Sequence, residues 1–162
     1  MYKRQTLERG RRELVIVGNG PLRDSLARQA EALGVADLVH LTGPRADVPA
    51  LLAAMDVLVS PSRDETFGMA VLEGIGAGLP VVHAECPALD ALPDPVPAAF
   101  AIGTIEDAAE EAAIAAAVDR ALAATDGRRL TVPAEVLDAY DITRTTARLD
   151  LLVDEGSRRR AR

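Results

Sequence analysis

The fold of this chain is indicated first by residues 14–21, which read LVIVGNGP. Four consecutive aliphatic residues that end at a glycine-rich turn are typical of a parallel strand buried on both faces. The proline suits the first position of a helix. Apolar residues then recur at helical spacing up to Leu33, and Gly34 suits a C-terminal cap. These residues therefore predict a strand, a tight turn and a helix.

The same alternation continues along the chain. Further strands are predicted at 38–41, 57–59, from 80, and at 99–102, and further helices at 48–55, 66–77 and 105–124. Residues 85–97 are proline-rich and predicted to be irregular, and the residues from 133 are predicted to be helical, with Asp141 as an N-cap. Strands alternating with helices indicate an α/β fold, a Rossmann-like doubly wound parallel sheet. Ligands bind such sheets at the carboxyl ends of the strands, so the loops at 18–21, 43–47, 60–66 and 83–90 should share that edge.

Composition narrows the class of protein. The 162 residues suit one domain, while an aromatic content of 2% and a net charge of -7 disfavour a nucleic-acid partner. The single cysteine allows no internal disulfide, and no apolar run is long enough for a transmembrane segment or a signal peptide. We therefore expect a cytoplasmic protein. Its basic ends are predicted to be solvated, with a peripheral contact to acidic lipid as the alternative.

The candidate functional residues lie in the segment 61–82, which reads PSRDETFGMAVLEGIGAGLPVV. A strand ends, a loop supplies a carboxylate, and a helix is predicted to begin near Thr66. The first amides of a helix lack internal partners and carry partial positive charge, so they suit a diphosphate. Gly68 is predicted to let a ligand approach the backbone closely.

Two acidic residues, Glu65 and Glu73, flank that helix start. Eight residues of helix span about 12 Å, which is comparable to the reach from a sugar across two phosphates to a ribose. Glu65 could hold sugar hydroxyls, and Glu73 could accept hydrogen bonds from the ribose. The alternative is a pair of ordinary surface carboxylates near a helix start.

Residues 65–73 resemble the E-x7-E motif of the family 4 glycosyltransferases, which are retaining enzymes of GT-B fold. The family pattern around that motif is matched at Pro61, Ser62, Glu65, Phe67, Gly68, Glu73, Gly78, Pro80, Val81 and Val82. Residues 14–21 and 39–43 also resemble the family's strand with its Gly-x-Gly-Pro turn and the strand and turn that follow. The ordered resemblance spans residues 14–124, and it implies the C-terminal, donor-binding domain of such an enzyme.

The resemblance also implies ligands and residue roles. The donor would be a UDP-, GDP- or ADP-sugar, used as substrate without a cofactor and generally without an essential metal. Glu65 would be the catalytic residue, meeting the donor sugar. The turn at Gly18 would lie near the phosphates, the loop at Gly43-Pro44-Arg45 would line the base pocket, and Glu73 would bind ribose. The residues implied in donor binding are Gly18, Gly20, Gly43, Arg45, Thr66, Phe67, Gly68, Met69 and Glu73.

The chain departs from the family pattern in three places. Gly74 and Gly76 stand where the family usually has alanine. After Val82 the family has a Gly-Gly turn and a glutamate, for which Asp90 is the candidate here. The family's domain also opens with a further strand and helix, carrying an arginine and a lysine that grip the diphosphate. We expect this chain to lack them, together with the N-terminal acceptor-binding domain.

Several single residues are given structural roles. Phe67 is expected to pack the helix start rather than stack on a base, and His83 is expected to be a hydrogen-bonded structural histidine. Two histidines and one cysteine do not make a zinc site. A nicotinamide-dependent oxidoreductase is disfavoured because Arg23 occupies the third glycine position of the dinucleotide fingerprint.

We therefore predict three regions: a basic lead-in or helix remnant at 1–13, a nucleotide-sugar-binding domain at 14–124, and a helical extension with a basic tail at 125–162. The leading hypothesis is the NDP-sugar-binding domain of a retaining hexosyltransferase, inactive by itself without an acceptor-binding domain or partner chain. The alternative is a truncated or stand-alone binding module without catalysis, or one half of a split glycosyltransferase.

Overall fold

The structure is a computed structural model, which describes residues 12–102, 110–143 and 146. Its strands are β1 (Leu14–Val17), β2 (Val39–Gly43), β3 (Leu58–Ser60), β4 (Val81–His83) and β5 (Ala99–Ala101). Its helices are α1 (Arg23–Ala32), α2 (Val48–Ala54), α3 (Met69–Gly76), α4 (Pro87–Asp90), α5 (Glu110–Thr125) and α6 (Ala134–Tyr140), with a short 3-10 turn at Ala36–Leu38. The predicted α/β fold is confirmed.

All five predicted strands are present, and so are the predicted helices that fall on described residues. Two local predictions were wrong: α3 begins at Met69 rather than Thr66, and the stretch predicted to be irregular contains α4. The expected N-cap is confirmed, since the amide of Thr143 donates to Asp141 Oδ1 at 2.8 Å. The basic lead-in up to residue 11, the predicted helix start at 105 and the basic tail lie outside the described residues.

Two helices end at the predicted glycines. Gly34 follows α1 with φ of +66°, and Gly78 follows α3 with φ of +74°. At Gly78, the glycine amide donates to Ile75 O and the next amide, of Leu79, donates to Gly74 O, both at 2.9 Å. This pairing satisfies the last carbonyls of the helix and needs a left-handed residue, which glycine supplies without strain.

The single parallel sheet expected from the sequence is split in two. β1 pairs with β2, and β3 pairs with β4, which pairs with β5; every one of these pairs is parallel. Each sheet keeps its strands in chain order, β1-β2 in one and β3-β4-β5 in the other, as the two halves of a doubly wound sheet do. Within the described part of the chain, no strand joins β1 to β3.

The core is organised by β4, whose three residues are all buried. Val81 packs in one apolar cluster with Val71 and Ile75 of α3, and Val82 packs in a second cluster with Ala117 and Ala121 of α5. Successive side chains of a strand point to opposite faces, so α3 and α5 cover the two faces of the sheet. This is the two-sided burial expected of a parallel strand.

The segment after α5 also packs on this core. Val136 of α6 is buried in the cluster on the α3 face, and Tyr140 contacts the same cluster. The Tyr140 hydroxyl donates a hydrogen bond to the carbonyl of Ala88 in α4 at 2.5 Å. The end of the described chain therefore fixes the region that follows β4.

The two glycines inside α3 should respond differently to alanine. An added Cβ at Gly76 would meet nothing within 4 Å, whereas at Gly74 it would lie 2.6 Å from Leu58 Cδ2 and 3.1 Å from Val81 Cγ2. We expect Gly76→Ala to raise the free energy of unfolding by about 0.4–1 kcal/mol, because alanine loses less backbone entropy on folding. Gly74→Ala should gain less or destabilise, and urea unfolding measures both. A larger gain at Gly74 would contradict the close packing of α3 on β3.

Candidate functional site

The predicted phosphate turn and base-pocket turn meet at the carboxyl ends of β1 and β2. The amide of Gly18 donates to the carbonyl of Gly43 at 2.9 Å. Both glycines have positive φ, +115° and +71°, and an added Cβ would meet nothing within 4 Å at either. The structure thus brings together two residues that the sequence placed in the donor site, with open space beside both.

Charged side chains near these turns are already paired. The guanidinium of Arg23 donates to the carbonyl of Leu41 at 2.8 Å. Arg45, predicted to line the base pocket, makes a two-pronged contact with the carboxylate of Asp47 at 2.7 and 2.6 Å. The hydrogen bond from Arg45 lowers the pKa of Asp47. Both side chains are exposed, so the ion pair is one that solvent can loosen.

The loop before α3 is held by its own acidic residue. The amides of Phe67 and Gly68 both donate to Glu65 Oε1, at 3.2 and 3.1 Å. These are two of the amides that the sequence assigned to a diphosphate. The carboxylate of Glu65 therefore occupies the place of an anion at this turn and bends the chain into the helix start.

The free amides of α3 lie later than the sequence predicted. Gly68 is the residue before the helix, and the amide of Leu72 donates to its carbonyl at 3.1 Å. In an α-helix the amides that precede the first such bond have no partner within the helix. Three amides precede that bond, those of Met69, Ala70 and Val71. Val71 is buried, so the amides available for an anion are those of the exposed residues Met69 and Ala70, rather than those from Thr66 onward.

Glu73 lies on the exposed face of α3. Met69, Ala70 and Gly76 share this face, whereas Val71, Gly74 and Ile75 are buried. Because residues four apart are neighbours on a helix surface, the Glu73 carboxylate stands one turn from the free amides at Met69, about 6 Å along the axis. The structure thus separates Glu65, in the loop, from Glu73, on the helix, by a turn with two free amides.

The same loop is fixed from behind by the segment after β4. The carbonyl of Phe67 accepts a hydrogen bond from the amide of Ala88 at 2.9 Å and is contacted by the Cys86 thiol at 3.7 Å. The ring of Phe67 packs edge-on against Tyr140, with 5.7 Å between ring centres. This agrees with a packing role for Phe67, although 41% of its surface stays exposed.

Gly68 is required by packing inside the protein. Its φ is +101°, and an added Cβ would lie 2.3 Å from the sulfur of Cys86. This contact could not be predicted from the sequence, because the two residues are 18 positions apart and no local pattern connects them. Burial raises the pKa of the Cys86 thiol, so this sulfur fills space as a neutral group.

Replacing Gly68 should therefore destabilise the fold. We expect Gly68→Ala to lower the free energy of unfolding by about 1–3 kcal/mol, from backbone strain together with the clash at Cys86. In a Cys86→Ala background the cost should be smaller, since only the strain remains. Denaturant unfolding of the four variants of this cycle measures the difference. Equal costs in both backgrounds would remove the contact between Gly68 and Cys86 from the explanation.

His83 ends β4 and is 8% exposed. The sequence predicted a hydrogen-bonded histidine, but its Nδ1 is buried and has no partner among the described residues. Burial lowers the pKa of His83, and the negative charge of Asp90 offsets part of that shift. The fold therefore favours the neutral imidazole at the carboxyl end of the central strand.

This burial should make stability depend on pH. The unfolded chain binds a proton at His83 below about pH 6.5, before the folded chain does, so the free energy of unfolding should fall as the pH drops below that value. We expect His83→Gln to flatten this fall between pH 7.5 and 5. Urea unfolding across the pH series tests this. An unchanged slope in His83→Gln would contradict it.

A crevice in the described part of the structure lies away from the carboxyl ends of the strands. This shallow crevice is lined by Met55, Asp56, Gly78–Pro80 and Gly127–Arg129 and sits at the amino ends of β3 and β4, opposite the predicted ligand edge.

No three His, Cys, Asp or Glu side chains in the described ranges converge to hold a metal ion. Nor does the described part of the chain contain a helix of the length and apolarity that a membrane span requires.

Comparison with known protein sequences identifies a matching family and a similar protein. Residues 3–124 match the sequence model of the glycosyl transferases group 1 family. A GDP-mannose-dependent alpha-(1-6)-phosphatidylinositol dimannoside mannosyltransferase of Mycobacterium tuberculosis is 43% identical over 76 residues, which are 47% of this chain and 20% of that protein. The chain therefore spans about a fifth of the length of this curated relative.

Solved structures agree on the architecture. The lipopolysaccharide glycosyltransferase WaaG superposes with a TM-score of 0.57 and 28% identity, over 78% of this chain and 32% of WaaG. Anabaena Alr3699/HepE, solved with UDP, superposes with a TM-score of 0.63 and 22% identity, over 94% of this chain and 43% of its own, and this likeness concerns the fold. The matched region contains the glycine turns, the loop of Glu65 and helix α3, and the chain belongs to the glycosyl transferases group 1 family.

Proposed function

We propose that this chain binds the nucleotide diphosphate of an NDP-sugar and forms the donor half of a retaining hexosyltransferase. The observation that carries the proposal is the arrangement at α3. Two exposed first-turn residues, Met69 and Ala70, with amides free of helical bonds, lie between the Glu65 loop and the carboxylate of Glu73. That order suits a ligand with hydroxyl groups at both ends and phosphates in the middle.

In this proposal the diphosphate meets the start of α3. The partial positive charge of a helix N-terminus and two free amides stabilise an anion there. The same groups stabilise the charge that develops on the diphosphate as it leaves the sugar, which is the part of transfer that this chain supplies. No cofactor takes part, and the helix start provides stabilisation that a metal ion would otherwise give.

Glu65 has two tasks in this proposal. Its Oε1 accepts hydrogen bonds from the amides of Phe67 and Gly68 and so keeps the loop in shape. Its second oxygen is the one we assign to hydroxyl groups of the donor sugar. Glu73 accepts hydrogen bonds from the ribose, one helical turn further on. Gly18, Gly20, Gly43 and Arg45, in the turns after β1 and β2, contact the remaining nucleotide.

The acceptor site belongs to another part of the enzyme. This chain covers 32% of WaaG and a fifth of the mannosyltransferase, so complete transfer needs residues that these relatives have in addition. A related solved structure is the GtfA/B complex, in which two proteins are assembled. The alternative is a stand-alone binding module without turnover, and mixing this chain with a candidate acceptor-binding partner in a sugar-transfer assay separates the two. The single cysteine fits a reducing, cytoplasmic location.

Calorimetric titration with UDP, GDP and ADP tests the donor site. Three bases are needed because one relative is named for GDP-mannose and another was solved with UDP. We expect one nucleotide to bind best and Glu73→Gln to weaken it by about tenfold or more, through lost hydrogen bonds to a charged acceptor. Glu31→Gln, which removes an exposed carboxylate from α1, is the matched control.

Two results would contradict the proposal. Absence of binding by all three nucleotides would exclude a donor site in this chain. Equal affinity of the Glu73→Gln and Glu31→Gln variants would remove Glu73 from the site, even if a nucleotide binds elsewhere.

A further inference from the structure

Tyr140, at the end of α6, contacts the surroundings of the candidate site at two points. Its ring packs edge-on against Phe67, with 5.7 Å between ring centres and 88° between ring planes. Its hydroxyl donates to Ala88 O in α4 at 2.5 Å. Both partners lie far earlier in the chain, so these contacts connect the helix after α5 with the loop that contains Glu65.

Ala88 links Tyr140 to the backbone of that loop. Its carbonyl accepts from the Tyr140 hydroxyl, while its amide donates to Phe67 O at 2.9 Å. The residue is 1% exposed, so water has little access to either group. The amide of Leu92, four residues on, donates to Leu89 O instead. The Tyr140 hydroxyl therefore satisfies a buried carbonyl that the end of α4 leaves without a helical bond.

Helix α4 depends on tertiary contacts for its position. It is a single turn, Pro87–Asp90, and one turn of helix is unstable by itself. Ala88 belongs to the apolar cluster on the α3 face of the sheet, and Tyr140 packs against the same cluster. Partial burial raises the pKa of Tyr140, so the hydroxyl keeps its proton and remains a donor. Tyr140 thus holds α4 through both packing and a hydrogen bond.

The loop before α3 is anchored on two sides. On one side, Glu65 Oε1 accepts the amides of Phe67 and Gly68 at 3.2 and 3.1 Å. In the proposed function the same carboxylate also receives hydroxyl groups of a sugar, so its own position depends on the ligand. On the other side, the carbonyl of Phe67 is bound to Ala88, whichever group the carboxylate meets. This second anchor is the one that Tyr140 supports.

We propose that Tyr140 is a positioning residue for the candidate site, holding the loop before α3 through its contacts with Phe67 and Ala88. The docking of α6 and the binding of a nucleotide diphosphate then stabilise each other, because both require the same conformation of the loop. This coupling rests on the proposed function, whereas the effect of Tyr140 on the loop does not.

Hydrogen exchange of the full chain without ligand tests the effect on the loop. Tyr140→Phe removes the hydroxyl and keeps the ring, and we expect it to speed exchange of the Ala88 and Gly68 amides by about tenfold, as for one lost hydrogen bond. Val118→Ala, in the apolar cluster on the other face of the sheet, is the control for a general loss of stability. It should speed exchange within α5 more than at Ala88 and Gly68.

Calorimetric titration tests the coupling, with whichever of UDP, GDP and ADP binds best as the probe. We expect Tyr140→Leu, which loses both contacts, to weaken binding by about tenfold. Tyr140→Phe should weaken it less, since the ring contact remains, and Val118→Ala should leave the affinity unchanged. Conversely, saturating nucleotide should slow exchange of the Asp141 amide, which donates to Leu137 O at the end of α6.

Either of two results would overturn the proposal. One is exchange at Ala88 and Gly68 that is no faster in Tyr140→Phe than in Val118→Ala. The other is equal nucleotide affinity of Tyr140→Leu and the wild-type protein. Circular dichroism checks that Tyr140→Leu folds; if it does not, Tyr140→Phe decides both tests. If the wild-type protein binds none of the three nucleotides, the proposed donor site fails, and the exchange comparison still decides whether Tyr140 holds the loop.

Discussion

The burial of β4 is the constraint on which the rest of this structure depends. Its three residues are paired on both edges, with β3 and β5, and covered on both faces, by α3 and α5. A parallel strand satisfies its backbone and its apolar side chains only under those conditions. The position of α3, and with it the candidate anion site, follows from the packing of Val71 and Ile75 against this strand.

The groups that shape the candidate site also stabilise the fold. Glu65 folds the loop by accepting two amides, Gly68 makes room for Cys86, and the backbone of Phe67 is held by Ala88. These contacts hold the loop in one conformation without a ligand, and preorganisation of this kind lowers the entropy cost of binding. Two amides at the start of α3 and the carboxylate of Glu73 remain outside these contacts, and they are the groups through which this rigid frame can meet a ligand.

The two parts of the fold differ in how completely they are built. Around β4 the chain forms two apolar clusters, while β1 and β2 form a pair with half-buried aliphatic side chains. The region shared with this chain is 32% of WaaG and 20% of the mannosyltransferase.

The sequence alone determined the order of strands and helices, the glycine ends of α1 and α3, and the family motif. All of these depend on local signals: runs of aliphatic residues, helical spacing, and residues with particular backbone freedom. The start of α3, the attachment of Glu65 to the amides of Phe67 and Gly68, and the division of the sheet came only from the tertiary structure. They depend on contacts between distant segments, such as Gly68 with Cys86 and Ala88 with Tyr140, and on pairing partners for β1 and β3 that no local pattern specifies.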